Sequence, residues 1–290
     1  MGGRVMDAVP SPSSASVADG EDAVSPDRVR DRSSRQAWIA RRVLQDGSVT
    51  VDALADALDV SRMTIHRDLD ALEARGILRK VRGGATAQPS SLFESNVSYR
   101  LRRGSAAKEA IARLAVEFLE PGQAVMLDES TTVLPLMNLL PGTLPLTVIT
   151  NFLPVMQRAT DIQGVHLIGL GGDFQDNYQA FLGLVCEQTI RSLHADVLFA
   201  SCSALSGATL YHQDQQIIKI KRAMLASAST RILLLDHEKI GNTALYELGR
   251  LEDFDHIIVD DGVAGDTVRA LADADVEVHV APTAAESAAS

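Results

Sequence analysis

Cysteine is scarce in this 290-residue chain: Cys186 and Cys202 are the only two. Two thiols cannot build a disulfide framework, no Cys/His cluster has zinc spacing, and both read as core thiols. No stretch approaches the ~18–20 uninterrupted apolar residues of a membrane helix. The first residues lack a charged region followed by an apolar run, so no secretory signal is expected. Internal repeats are also absent. These absences point to a soluble, cytoplasmic protein with no membrane partner. Basic residues are the minority, 27 against 38 acidic, for a formal net charge of −11. That total argues against a nucleic-acid partner only if the charge is evenly spread. It is not. Residues 28–103 carry 15 basic and 9 acidic side chains, a net of +6, between an N-terminal stretch at −4 and a C-terminal region at −13. A basic block inside an acidic chain predicts a polyanion-binding module attached to something else.

The length suggests about two domains at roughly 100–200 residues each. Residues 1–34 begin rich in Ser, Pro, Ala, Gly and Asp without periodicity and read as a disordered tail. Residues 35–88 carry three helical patterns and a hairpin, residues 89–104 read as a polar linker, and residues 105–282 form a second domain before a short tail at 283–290. In the second domain, helical patterns alternate with near-continuous apolar strands at Ala124–Leu127, Leu146–Ile149, Val165–Leu170, Val197–Ala200, Arg231–Leu235, His256–Val259 and Val276–Val280. A further helix is expected over Thr131–Leu140. Strands this apolar are buried on both faces, so the expected fold is α/β, a mostly parallel sheet covered by helices.

Val51–Gly76 has the layout of a helix-turn-helix. One helix spans Val51–Leu58, Asp59-Val60-Ser61 supplies the turn, and a second helix runs from Arg62 to about Arg75. Ser61 stands where a hydroxyl can cap the second helix. At 100° per residue, Ile65, Leu69 and Leu72 share the inward face, while Met63 and Arg67 point outward with Thr64 and His66 beside them. Arg, His and Thr are the residue types that bond guanine edges and phosphates. Asp68 and Asp70 are expected to pair with neighbouring arginines. Ile77–Thr86 then reads as two strands around a Gly83-Gly84 turn, carrying Arg79, Lys80 and Arg82, the outline of a wing. The DNA-contacting set is therefore Ser61, Arg62, Met63, Thr64, His66, Arg67, Arg79, Lys80, Arg82 and Gly83. Double-stranded DNA is the expected partner. A protein-binding domain with the same helices is the alternative.

The run VTVDALADALDVSRMTIHRDLDALEARGILRKVRGGA resembles the DNA-binding domain of the DeoR family of bacterial transcriptional regulators. His66 replaces an arginine usual in that family and Arg82 replaces a histidine, which predicts an altered operator preference.

In the second domain, polar segments follow successive strands: Asp128–Thr132, Thr150-Asn151, Gly171-Gly172 and Asp236–Gly241. Such loops converge at the carboxyl edge of a parallel sheet, where ligands bind, and hydroxyls with free N–H groups suit phosphate oxygens. This domain resembles the DeoR-type sensor domain, whose fold is shared with ribose-5-phosphate isomerases and coenzyme A transferases. The matching segments are Tyr99-Arg100, Lys108, LDESTT, TVITN, LIGLGG, ADVLFA, IKRAML and LLLDHEKIG. The resemblance implies a repressor of a carbohydrate operon, an effector that is a phosphorylated sugar or related metabolite, and a homodimer or larger homo-oligomer. By position it assigns effector contact to Asp128, Ser130, Thr131, Thr132, Asn151, Gly171, Gly172 and Lys239, with Lys108 and Lys221 behind them as lysines a surface would also explain. Ser130 stands where the family has glycine, so a narrowed loop is expected if its φ is positive. Ser201–Ala204 lacks the glycines usual after that strand. Tyr211 and His212 follow in the next loop, where they could touch a ligand, although a surface loop is the simpler reading. No catalytic residue, metal site or cofactor is expected. Two alternatives remain: a C-terminal domain that only oligomerises, or an isomerase-like enzyme in which Asp128, Glu129 or Lys239 does proton chemistry.

Overall fold

The computed structural model describes residues 31–74, 77–87, 97–274 and 276–283. Residues 1–30 of the expected N-terminal tail, residues 89–96 of the expected linker and residues 284–290 of the C-terminal tail lie outside them, as do Arg75 and Gly76.

The N-terminal unit opens with α1 (Arg32–Asp46), capped by Asp31, whose carboxylate accepts the Ser33 and Ser34 N–H groups at 2.7 and 3.0 Å. It ends at Gly47 with φ 73°. A short strand β1 (Ser48–Thr50) follows, then α2 (Val51–Leu58), capped by Thr50 Oγ1. Asp59 takes the left-handed conformation at φ 49°, turning the chain into α3 (Arg62–Ala74). Ile39, Val43, Leu54, Ile65, Leu69 and Leu72 close the core between the three helices. Two strands, β2 (Leu78–Val81) and β3 (Gly84–Ala87), complete a three-stranded antiparallel sheet in the order β1-β3-β2. The turn is Arg82-Gly83, not Gly83-Gly84: Gly83 has φ 79°, while Gly84 is the first residue of β3. Gly84 is needed for a different reason. A Cβ there would lie 2.1 Å from the Val49 carbonyl oxygen, so only glycine lets β3 approach β1.

Part of the expected linker is a helix, α4 (Val97–Arg102), and it belongs to the second core. Val97 is buried, and its N–H donates to the Asn177 carbonyl at 2.9 Å. Then α5 (Ser105–Ala115) leads into a 3-10 turn at Val116–Phe118. The main sheet holds β4 (Ala124–Leu127), β5 (Leu146–Thr150), β6 (Val165–Gly169), β9 (Ala195–Ala200), β12 (Ala228–Leu235), β14 (His256–Asp260) and β15 (Glu277–Ala281). These seven strands are parallel, in the order β15-β14-β12-β9-β4-β5-β6. Helices α6 (Leu153–Ala159), α7 (Gly183–Arg191), α8 (Gln215–Ala226) and α9 (Gly265–Ala272) fall between the strands.

Two expectations fail locally, and one hairpin was not expected. Thr131–Leu140 is not an α-helix but turns and 3-10 segments at Leu134–Asn138 and Leu140–Gly142. Pro135 and Pro141 withhold the N–H groups that a longer α-helix would use. Residues 173–182 form a hairpin of β7 (Asp173–Gln175) and β8 (Ala180–Leu182). The stretch with Tyr211 and His212 is strand, not loop: β11 (Thr209–His212) lies between β10 (Ala204–Ser206) and β13 (Tyr246–Arg250) in a small antiparallel sheet.

Candidate functional site

The first site is the outer face of α3 with its wing. Ser61 Oγ accepts the Thr64 N–H at 3.2 Å and lies 2.9 Å from Thr64 Oγ1, so both hydroxyls are engaged at the start of the helix. Arg62, Met63, His66 and Arg67 are exposed along it, and Met63 is 62% exposed. Arg62 is paired across the turn with Asp52 at 2.7 Å. Arg67, Arg79 and Arg82 are exposed and enter no ion pair among the described residues, which leaves their guanidinium groups available to phosphate or guanine. Lys80, expected to reach DNA, is instead tied to α3: its ammonium pairs with Asp70 and its N–H donates to Glu73 Oε1 at 2.7 Å. Asp70 thus pairs with a lysine of the wing, not an arginine. Asp68 does pair with arginine, and is buried. It accepts Arg35 Nε at 2.6 Å and Gln36 Nε2 at 2.9 Å, locking α1 to α3.

The second site is a cavity of about 310 Å³ where β4, β9 and β12 end, at the low end of ordinary small-molecule pockets. Sheet order explains its position. The chain builds β4, β5 and β6 to one side and then crosses to β9, β12, β14 and β15 on the other. The direction reverses between β4 and β9, the place where parallel sheets open a crevice. Asp128 sits there, fully buried. One oxygen accepts the Ser201 N–H at 2.8 Å and the Lys221 ammonium, and the other accepts the Ser130 N–H at 3.0 Å. Glu129 Oε1 also meets Lys221, at 2.7 Å.

Both second-rank lysines are buried, not on the surface. On α8, Lys221 follows Ile217 by one turn and precedes Met224 by three residues, so it shares their inward face. Burial pulls its pKa down, but Asp128 and Glu129 outweigh that and hold it above the ordinary lysine value. On α5, Lys108 shares a face with Ile111, Ala112 and Ala115. Its Nζ donates to Thr131 Oγ1 at 3.0 Å and to the Arg100 carbonyl. Burial and then the nearby Lys239 push its pKa down to about 7. Lys239 reaches from the turn after β12 to Thr132 Oγ1 at 2.9 Å, Ser201 Oγ at 2.8 Å and Asp236 at 3.2 Å. Asp236 is held below its usual pKa because Lys239 and Lys108 overcome its burial. Glu129 is raised, because burial, with help from the adjacent Asp128, outweighs the pull of Lys221.

The cavity brings together Lys108, Ser130, Thr131, Lys221 and Lys239 of the expected set. Asp128 and Thr132 lie beneath, bonded to its lysines. Asn151, Gly171 and Gly172 are elsewhere. Asn151 holds the β7–β8 hairpin, its amide donating to the Phe181 carbonyl at 3.0 Å. Gly172 passes so close to the Leu182 carbonyl that a Cβ would lie 2.3 Å away, and exposed Gly171 precedes it. Ser130 does not have a positive φ, so its Cβ costs no backbone strain.

Sequence reasoning missed several lining residues: Arg100 and Arg103 from the supposed linker, and Gln213 beside His212, which was open to a ligand contact. Arg100 stacks 5.6 Å above the Tyr178 ring, and Arg103 pairs with Glu238. His212 is buried and kept neutral, by burial and then by Lys221 and Arg100. Five cationic side chains face three carboxylates across the lining. Glu129 Oε2, Ser130 Oγ and Gln213 Nε2 are buried without a hydrogen-bond partner. Buried polar atoms are costly when unpaired, and these three border the cluster of cations. Cys202 also lines it, its thiol raised to about 11 by burial.

Comparison with known proteins matches two segments of the chain. Residues 35–91 match the DeoR-like helix-turn-helix domain and residues 103–261 the DeoR C terminal sensor domain. The chain is 32% identical over 262 residues to a putative aga operon transcriptional repressor of Escherichia coli O157:H7, covering 89% of this chain and 97% of that protein. It is 32% identical to the HTH-type transcriptional regulator GolR of Listeria innocua over 250 residues, 85% of this chain and 98% of that one. Among solved structures, ribose 5-phosphate isomerase from Plasmodium falciparum overlaps 48% of this chain and 53% of its own at 16% identity. Its TM-score of 0.34 is too low to support any inference about chemistry. No helix of the described residues is long and apolar enough to cross a membrane. The chain belongs to the DeoR family of transcriptional regulators, with a helix-turn-helix DNA-binding domain and a DeoR-type sensor domain.

Proposed function

We propose that the protein represses a carbohydrate-metabolism operon and that a phosphorylated sugar bound in the cavity changes its affinity for the operator. The observation that carries this reading is the pairing of buried cations with unpartnered polar atoms in one pocket. Lys108 is short of a counter-anion, which a phosphate supplies, while Glu129, Ser130 and Gln213 offer acceptors and donors to hydroxyls. Relatives named as an aga operon repressor and, in Bacillus subtilis, the transcriptional repressor GlcR agree with sugar-operon control. In this reading a homodimer or larger homo-oligomer of a cytoplasmic protein places paired α3 helices in successive major grooves. The effector shifts the balance by its differential affinity for the DNA-competent and released arrangements.

An isomerase-like activity would need a base at a substrate carbon. Asp128 is sealed beneath the cavity with both oxygens engaged, and Lys239 is tied to Asp236, Thr132 and Ser201, which leaves Glu129 of the three candidates. The attached DNA-binding domain favours sensing.

The test is thermal shift against a panel of pentose and hexose phosphates, their parent sugars and inorganic phosphate, paired with release of operator DNA. Saturable stabilisation by a sugar phosphate, lost in Lys239→Ala and absent with the parent sugar, is the expected result. No stabilisation across the panel sinks the effector proposal and favours a domain that only oligomerises. Turnover of a sugar phosphate would revive the enzyme.

A further inference from the structure

The cavity occupies the carboxyl edge of the main sheet. At the opposite edge, His256 opens β14 and Glu277 opens the neighbouring strand β15. The parallel register sets His256 against Glu277 and Ile258 against His279. Residues two apart on a strand share a face, so the three polar side chains converge. His256 Nδ1 lies 3.3 Å from Glu277 Oε2 and 3.3 Å from His279 Nε2, and His279 Nε2 lies 3.6 Å from Glu277 Oε1.

Hydrogen bonding alone does not account for this triangle. Each ring nitrogen carries at most one proton and an ionised carboxylate carries none. At most two of the three edges can then be hydrogen bonds, and the third sets two donors or two acceptors against each other. A cation at the centre satisfies all three lone pairs together. The spacing also suits one: zinc–nitrogen bonds of about 2.0–2.1 Å in a tetrahedron put neighbouring donor atoms about 3.3–3.4 Å apart. Phe118 packs against both rings, 5.0 Å from His256 and 5.1 Å from His279, and forms an apolar floor that limits their movement.

We propose that His256, Glu277 and His279 form a divalent transition-metal site, with water in the fourth position, that clips the edge strand β15 to β14. Two imidazoles and one carboxylate suit zinc, cobalt or nickel and do not suit magnesium or calcium, which take oxygen ligands. Sequence spacing conceals the site because its ligands come from two strands about twenty residues apart and not from one helix or loop. The site stands apart from the effector cavity and does not depend on its ligand.

The experiment uses full-length, tag-free protein stripped with a chelator and titrated with Zn²⁺ against a chromophoric competitor, then with Co²⁺ to read its visible spectrum. The expected result is one ion per chain at micromolar affinity or tighter, and the absorption of four-coordinate cobalt. A hundredfold excess of Zn²⁺ over its dissociation constant should raise Tm by about 5–10 °C. His279→Ala and His256→Ala should each weaken binding about tenfold or more. Glu277→Gln, at an exposed side chain, keeps the fold intact and should also weaken binding and change the cobalt spectrum. Failure to bind any of Zn²⁺, Co²⁺ or Ni²⁺ would overturn the proposal. So would binding that all three variants leave unchanged.

Discussion

At the scale of single residues, the sensor domain depends on lysines placed where a helix would ordinarily bury an aliphatic side chain. Lys221 bridges two buried carboxylates. Its removal leaves Asp128 and Glu129 facing each other without a cation. Lys221→Ala should therefore cost about 3–5 kcal/mol of stability, measured by urea unfolding. Lys108 makes a different prediction. With its pKa at about 7 and the ordinary value near 10.5, it is largely neutral in the empty protein at pH 8. An anionic ligand favours the charged form and raises that pKa, so binding takes up a proton between pH 7 and the ligand-bound pKa. Affinity should accordingly fall as pH rises from 7 to 9. Calorimetry in buffers of different ionisation enthalpy would show the uptake, and Lys108→Met should abolish it. The helical spacing of both lysines was present in the sequence: each sits three or four residues from aliphatic neighbours on one face. A lysine on an apolar face signals a buried charge, a stronger signal than the family position alone.

Among elements, those with a local cause were legible and those made by distant pairing were not. The helix-turn-helix was readable because capping hydroxyls, a short turn and the Ile65-Leu69-Leu72 face all lie within a few residues of each other. The apolar parallel strands were readable from their hydrophobic runs. The sheet of β10, β11 and β13 was not, because Leu210 pairs with Gly249, 39 residues away, and no alternation marks either strand. The helix α4 was hidden in a basic, polar stretch that is ordered by contact with the second domain's core. Where elements meet, the wing gives a test. Asp70 engages the Lys80 ammonium in an exposed pair, so Asp70→Ala should free it, strengthen DNA binding and steepen the salt slope by about one unit. Arg67→Ala should do the reverse, weakening binding and, if it contacts phosphate, flattening the slope by the same amount. Gly84→Ala forces a Cβ into the Val49 carbonyl and should destabilise the DNA-binding domain by about 1–3 kcal/mol, seen in its own unfolding transition.

Across the whole molecule, the acidic balance is compatible with DNA binding because the basic residues are concentrated in one block. The surrounding acidity discourages adhesion to polyanions in general and leaves contact to the exposed arginines of α3 and the wing. The sensor cavity has the opposite organisation. Its walls come from Arg100, Ser130, Ser201, His212 and Lys239, brought together only after the chain has built one side of the sheet and crossed to the other. The complete lining needs residues from both sides of the sheet. A metabolite that fits this cavity binds only the finished domain, so its arrival also protects newly made chains from degradation. Cells growing on the cognate sugar should hold more of the regulator than cells without it, at equal rates of synthesis.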